Sequence, residues 1–317
     1  MVSQNNTAHA LKVLDFYEVL ERLAVQCQTP LGRSFAAETR PVYEPQEVWR
    51  LLELTQEAAE ILAQGSAPSM SPILDFRQLF LLALKGSSLE AEQLVKMAHA
   101  LGAMRAFKYY LYTKQERCSR VWKIAQYLPE FREIEERIFA CLSESGEVRD
   151  SASPELARLR KNKAQCIQRI TQRIHRYTSG SLREYLSDPF YTVRNGRYVL
   201  PVKVEYRGKV KGVVHDTSAS GQTLYIEPED VLQLGNELRE LEVAEREEIF
   251  HILRELSWLV GQQAQELISG IEISARLDVI FGKARLGHAM QATSPVPAKA
   301  HTLSMKEGRH PLLNPET

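Results

Sequence analysis

Apolar residues recur at three- and four-residue spacing through most of residues 10–140, the period of a helix with one buried face. Phe16, Val19, Leu20 and Leu23 open the series, and Thr29-Pro30-Leu31-Gly32 reads as an interruption. Val48, Leu51, Leu52, Ala59 and Leu62 form a second stripe that ends at Gly65. Ser87 and Glu90 have the spacing of a capping box, ahead of Leu94, Met97, Leu101, Met104 and Tyr109. Such stripes predict helices packed on one another in a bundle.

Two longer helices follow. One opens at Ser153-Pro154, serine as N-cap and proline at the first helical position. Its seam is Leu156, Leu159, Cys166, Ile170, Ile174 and Tyr177, close to a 3.5-residue repeat. The other opens at Pro228, with Glu229 and Asp230 suited to the positive end of the helix dipole. Leu238, Leu241, Ile249, Ile252, Leu256 and Leu259 form its seam. Two seams separated by a compact insert predict an antiparallel coiled-coil pair, the first helix reaching roughly 35 Å.

The insert alternates as strands do. Phe190–Val193 leads into Asn195-Gly196, a strong hairpin signal, and Tyr198–Val204 follows. Arg207-Gly208-Lys209 is the next turn, Val210–His215 a third strand and Thr223–Ile226 a fourth. Pro201 cannot donate to a ladder, which predicts an edge strand or a bulge. A last stripe, Leu277, Ile280, Phe281 and Ala284, returns the chain to the bundle, and Pro295 and Pro297 mark a boundary. The expected fold is thus mainly α, with a small antiparallel sheet at the tip of a helical arm. Its expected parts are 1–150, the first part of the bundle; 151–187, the outgoing helix; and 188–227, the strand-rich tip. The returning helix and the rest of the bundle take 228–295, and 296–317 is a lead-in too short to be a domain.

Composition narrows the function classes. With 317 residues, 44% of them hydrophobic, the chain can bury a sizeable core and hold about two domains. Forty basic residues balance forty acidic ones, so overall charge predicts no partner. Cys27, Cys118, Cys141 and Cys166 have neither C-x-x-C spacing nor a histidine pair, so no metal site is expected. Scattered thiols, a polar start and the lack of a long apolar run fit a cytoplasmic protein with no membrane contact.

The balance hides a separation. From Glu155 to Lys211 fourteen basic residues face four acidic ones, and from Ile226 to Glu248 nine acidic residues face two basic ones. Opposed charges on paired helices explain the helical part. They leave Arg194, Arg197, Lys203, Arg207, Lys209 and Lys211 in the strand insert, with little acidic company. Two readings stay open for these six: phosphate contacts to nucleic acid, or a sheet edge guarded by cations. Six phosphate contacts would give a slope of log K on log salt near −5.

Catalytic motifs are missing. Gly208-Lys209 and Gly282-Lys283 lack the rest of a G-x-x-x-x-G-K-S/T loop, and no G-x-S-x-G, H-E-x-x-H or EF-hand pattern occurs. His215, Asp216 and Ser218 invite a triad reading, but three neighbours in one loop cannot hold that geometry; a turn bonding its own backbone fits better. Such a loop can also offer backbone N–H groups to phosphate.

Several stretches together resemble the type-two branch of the bacterial MutS family. They are Arg197–Lys203, Glu205-Tyr206-Arg207-Gly208, Gly212–Pro228 with its His215-Asp216-Thr217-Ser218-Ala219-Ser220-Gly221-Gln222-Thr223 core, and Asn236–Leu241. Leu14-Asp15-Phe16 and Thr29–Arg33 resemble the opening of that family's lever domain, and Gly308–Leu313 the segment before its ATPase domain. The resemblance implies a helical lever carrying an inserted clamp, in a homodimer that closes around nucleic acid. It implies that ATP and Mg belong to a following domain, and any endonuclease activity to a C-terminal module, so no catalytic residue is expected here. It also implies that the chain opens directly on the lever, without mismatch-reading or connector domains. Roles expected from the branch are suppression of homologous recombination through DNA binding, rescue of collided ribosomes, or both. A ribosome-docking module with incidental DNA binding and a purely structural coiled-coil scaffold remain the alternatives.

Overall fold

A computed structural model describes residues 9–65, 67–296, 298 and 302–313. The chain divides into two compact units, Met1–Glu147 with Arg254–Thr317, and Val148–Leu253.

The first unit is helical. Its elements are α1 (Phe16–Gln26), α2 (Pro30–Ala37), α3 (Pro45–Ala63), α4 (Arg77–Leu84), α5 (Ala91–Tyr112), α6 (Ser119–Ala125) and α7 (Arg132–Cys141). The second unit holds α8 (Pro154–Ser179), four strands and most of α9 (Glu229–Gln262), and α10 (Ala264–Ala289) belongs again to the first. No helix among the described residues is long and apolar enough to cross a membrane.

In the first unit α10 packs against α1, α2, α3, α4 and α6. Its buried Leu277, Phe281 and Ala284 follow the expected stripe, while Ile280 is only partly buried. One polar device fixes the packing. Asp278, fully buried, accepts from the N–H groups of Gln28 (3.1 Å) and Thr29 (2.7 Å), the Thr29 hydroxyl (2.9 Å) and Arg285 (3.0 Å). Thr29 Oγ1 in turn accepts from the N–H of Gly32 at 2.9 Å. Thr29-Pro30-Leu31-Gly32 is therefore not an interruption but the capped start of α2, with proline at N1. Gly32 is tolerated inside the helix because a Cβ there would lie 2.5 Å from Asp278 Oδ2.

Two further expectations need correction. The buried face of α3 is Leu54, Glu57, Ala58 and Ile61, whereas Ala59 is exposed and Val48, Leu51, Leu52 and Leu62 are only partly buried. A carboxylate sits in that face because Glu57 accepts from the N–H groups of Arg120 (3.0 Å) and Val121 (2.9 Å), at the start of α6. The capping box of α5 is Glu90 with Gln93, three residues later than expected, and buried Leu89 and Leu94 flank it as a hydrophobic staple. Tyr109 faces solvent, so the buried stripe of α5 runs through Met104, Phe107 and Leu111.

In the second unit Leu156, Leu159, Cys166, Ile170 and Ile174 of α8 are all buried, as their spacing predicts. Cys166, Ile170 and Ile174 share a core with Val231, Leu234 and Leu238 of α9 and with sheet residues including Leu200, Val202, Leu224 and Ile226. Burying each aliphatic side chain contributes about 1.5–3 kcal/mol. The sheet, β1 (Thr192–Arg194), β2 (Arg197–Lys203), β3 (Gly212–Thr217) and β4 (Thr223–Pro228), is antiparallel in the order β1-β2-β4-β3. Asn195 and Gly196 both take positive φ, 50° and 72°, as a two-residue type I′ hairpin requires.

Pro201 lies on an interior strand, not an edge. It pairs with Tyr225, and its carbonyl accepts from Ser187 N–H at 2.8 Å on the side away from β4. Because N–H and C=O of one strand residue point the same way, the missing donor costs no β2–β4 bond. The bulge lies instead at His215, on β3. Pro228 ends β4, and α9 begins at Glu229.

Candidate nucleic-acid interface

The charges of α8 and α9 meet in antiparallel order. Ser153 donates to Glu248 (2.6 Å), Arg160 (2.9 Å) and Lys163 (2.7 Å) both reach Glu245, Arg169 pairs with Glu237, and Tyr177 donates to Asp230 (2.8 Å). As one number rises the other falls, so the two helices run side by side in opposite directions. Burial disfavours the charge on Glu245, yet the hydrogen bonds from Lys163 and Arg160 prevail and hold its pKa below the ordinary carboxylate value. Burial also pushes the Tyr177 phenol up to about 12, assisted by its bond to Asp230. Three cations of α8, Arg160, Lys163 and Arg169, are thus paired with carboxylates of α9.

Three of the six cations singled out in the insert have protein partners. Arg197, at the start of β2, donates to Asn236 (2.9 Å) and lies 3.4 Å from Glu227. Arg194 lies over the Tyr225 ring at 4.7 Å, with its Nε 4.0 Å from Asp216. Lys203 donates to the Glu184 carbonyl at 3.0 Å and lies 5.8 Å from the Tyr206 ring centre. The other three, Arg207, Lys209 and Lys211, lie on the connection between β2 and β3, exposed and without a side-chain partner among the described residues. Val210 between them is buried and anchors the connection to the core. The connection leads into β3, an edge strand whose Val213 and Val214 are also exposed.

Beside these cations lies a buried ion network that charge counting does not reveal. Glu227, fully buried at the end of β4, accepts from His215 Nε2 at 2.7 Å and faces Arg197. Gly235 of α9 leaves room for it: a Cβ there would stand 2.3 Å from Glu227 Oε1 and 2.8 Å from Arg197 Nη1. Glu227 thereby ties β4 to β2 and β3, and Arg197 extends the network to Asn236 of α9. Glu227 looks in the sequence like one more member of an acidic run. Its only sequence signal is its place in a strand, two residues before a helix of solvated acids.

The His215–Gly221 segment behaves as a self-bonded turn. Thr217 N–H donates to Asp216 Oδ1 at 2.8 Å, Thr223 N–H to Ser218 Oγ at 3.0 Å, and Gly221 N–H to the Ser218 carbonyl at 2.8 Å. His215 points to Glu227 rather than to Ser218, so no nucleophile–base pair forms. Nor do the glycine–lysine pairs fit a nucleotide. Gly208-Lys209 lies in the connection between β2 and β3, with no helix following it, and Gly282-Lys283 lies inside α10. No cluster of three metal-ligating side chains occurs among the described residues. The four cysteines are buried and free.

What these features define is a mainly helical protein with an ion-locked antiparallel sheet inserted in the chain between two opposed helices, one connection of the sheet bearing cations without a side-chain partner among the described residues. The chain is similar along nearly all its length to proteins called Endonuclease MutS2. It is 36% identical over 303 residues to that of Symbiobacterium thermophilum, 36% over 308 to that of Pelotomaculum thermopropionicum, and 35% over 311 to that of Bacillus cereus (strain Q1). These alignments cover 96–97% of the chain but only 38–39% of the relatives, so the chain spans about two fifths of their length. No family model matches it. The chain belongs to the MutS2 branch of the MutS family.

Proposed function

We propose that this chain is the lever and clamp portion of a MutS-type protein, and that its sheet grips nucleic acid through phosphate contacts. The observation that supports this most is the contrast between cations. Arg160, Lys163 and Arg169 of α8 pair with α9, and Arg194, Arg197 and Lys203 of the insert have protein partners, whereas Arg207, Lys209 and Lys211 of the insert have none among the described residues. In this reading α8 and α9 form a coiled-coil arm and the helices of the first unit form the lever. A following domain hydrolyses ATP with Mg and controls the grip of a homodimer.

The number of phosphate contacts follows from the unpaired cations. Three counterions released from duplex DNA give a slope of log K on log salt of about −3, in place of the −5 expected from all six. The test is a salt titration of binding to branched and linear duplex DNA, read by fluorescence anisotropy. Replacing Arg207, Lys209 and Lys211 together with Ala should flatten the slope by about 3 and weaken binding to all sequences alike. Unchanged binding by the triple variant would remove the interface.

The relatives' printed name carries an endonuclease, which in this reading lies outside the aligned two fifths. Suppression of homologous recombination and rescue of collided ribosomes both need a grip on nucleic acid without sequence readout, which three loop cations provide. Competition of structured ribosomal RNA against branched DNA separates a ribosome-docking module from a DNA clamp. Failure of the chain to shift either at low salt would favour a structural scaffold.

A further inference from the structure

The first unit carries a second cationic surface, and this one has exposed rings. Along the C-terminal half of α5 and through α6, residues 105–127 hold six basic residues against one acidic residue, Glu116. Three of the six are neutralised: Arg105 by Glu135 (2.9 Å), Lys108 by Glu130 (2.8 Å) and Arg120 by Glu53 (2.8 Å). Lys114, Arg117 and Lys123 have no ion pair among the described residues. Lys114 donates only to the neutral amide of Gln64 and lies over the Tyr110 ring at 5.3 Å. Lys114 and Arg117 follow the carboxyl end of α5, whose partial negative charge they offset.

The rings lie among these charges. Tyr109 and Tyr112, one turn apart on α5, are 68% and 52% exposed, and Tyr127 beyond α6 is 71% exposed. Tyr112 meets Trp122 of α6 with centroids 5.6 Å apart and planes tilted by 58°. A tilted pair presents ring faces in two directions rather than covering one with the other. Burial accounts for Phe107 and Leu111 on the same helix, but it does not account for large rings turned outward on either side of them. Exposed rings beside unpaired cations, without sequence-reading geometry, are what unpaired bases on a phosphate backbone require: stacking for the bases and charge for the phosphates.

The geometry points to a binding surface for single-stranded nucleic acid on α5 and α6, with Tyr109, Tyr112 and Trp122 stacking bases and Lys114, Arg117 and Lys123 holding phosphates. A protein partner would meet the same rings, but the charges without an ion pair are three positive, Lys114, Arg117 and Lys123, against one negative, Glu116, which favours a polyanion. The surface belongs to the other unit from the sheet, and its existence does not depend on the sheet binding anything.

Trp122 supplies the readout. In a Trp49→Phe, Trp258→Phe background it is the only tryptophan, and a thymidine 20-mer or a uridine 20-mer should quench its fluorescence saturably. The two oligomers separate DNA from RNA as the source of the strand. A blunt duplex of the same length keeps its bases stacked and should bind this surface at least about tenfold more weakly. Tyr112→Ala should weaken the single strand about tenfold, while Tyr112→Phe keeps the affinity. Reversing Lys114, Arg117 and Lys123 to Glu should remove the quench, and restoring them one at a time should return a salt slope of about −0.7 each. The Arg207, Lys209 and Lys211 triple variant should quench normally, which separates this surface from the sheet. Tyr112, Arg117 and Lys123 are exposed and Lys114 is partly exposed, so thermal midpoints of the variants should match the parent and exclude unfolding as the cause. The proposal is overturned if neither oligomer quenches Trp122, if duplex quenches as well as single strand, or if Tyr112→Ala binds like the parent.

Discussion

Gly235→Ala sets a general rule of helices against a particular contact. In mid-helix, alanine is favoured over glycine by about 0.8–1 kcal/mol. At Gly235 the added Cβ lies 2.3 Å from Glu227 Oε1, where ordinary contact begins near 3.4 Å, so the carboxylate must retreat by about 1 Å. It has little room to do so: Glu227 is fully buried, with His215 at 2.7 Å and Arg197 on its other side. Breaking a buried ion pair on one side costs about 3–5 kcal/mol, which leaves a net destabilisation of about 2–4 kcal/mol after the helical gain. That corresponds to a loss of about 30- to 900-fold in the protection of amides whose exchange requires opening of the sheet. Hydrogen exchange read by mass spectrometry on peptides covering β2 and β4, against peptides covering α5, checks both the size and the place of the effect. Gly287→Ala is the control, since nothing lies within 4 Å of its added Cβ and it sits in the last turn of α10, so a gain of about 0.5 kcal/mol is expected. If Gly235→Ala raised protection as Gly287→Ala does, Glu227 would not be a lock and the account of the sheet would be wrong.

Further outcomes follow from the buried polar groups. Asp278→Ala strands two backbone N–H groups and the Arg285 guanidinium, so the urea midpoint of the first unit, followed by circular dichroism, should fall by the equivalent of about 3–5 kcal/mol. The depressed pKa of Glu245 means its pairing stabilises fully above about pH 4.5 and is lost as pH falls through the lower folded value; Glu245→Gln should remove that part of the acid dependence, and an unaltered pH profile would contradict it. Burial pushes the Cys27 and Cys118 thiols up to about 12 and 11, so their contribution holds below pH 9 and is lost as pH rises through those values. Iodoacetamide at pH 8 should therefore leave both unlabelled in the native protein; labelling within minutes, located by mass spectrometry, would contradict their burial.

Much of the fold can be read directly from residue spacing, and the failures have a common cause. The α8 seam is buried at Leu156, Leu159, Cys166, Ile170 and Ile174 because an apolar stripe on a solvated helix has one way to leave water. Asn195-Gly196 makes its hairpin because both residues tolerate positive φ. The misreadings fall where a polar group serves the core. Glu57 belongs to the buried face of α3 and moves that face off the apolar stripe, Asp278 turns Thr29–Gly32 from a break into a helix start, and Glu90 rather than Ser87 caps α5. Apolar periodicity cannot register a carboxylate buried because backbone donors elsewhere in the chain need it.

The same limit governs the candidate site. Counting charges treats Arg197 and Arg207 alike, yet Arg197 is held by Glu227 and Asn236 while Arg207 has no side-chain partner among the described residues. What separates them is the fold around each: Arg197 starts a strand whose neighbours bury a carboxylate, and Arg207 sits in a connection that turns outward beside buried Val210. The stretches that carry the family resemblance in this region contain the four residues of the ion network, Arg197, His215, Glu227 and Asn236, and also Arg207. The resemblance therefore spans residues with a structural partner and residues without one, and does not by itself tell them apart. Arg207, Lys209 and Lys211 are the cations of the insert without a side-chain partner among the described residues, and only three-dimensional structure separates them from Arg194, Arg197 and Lys203.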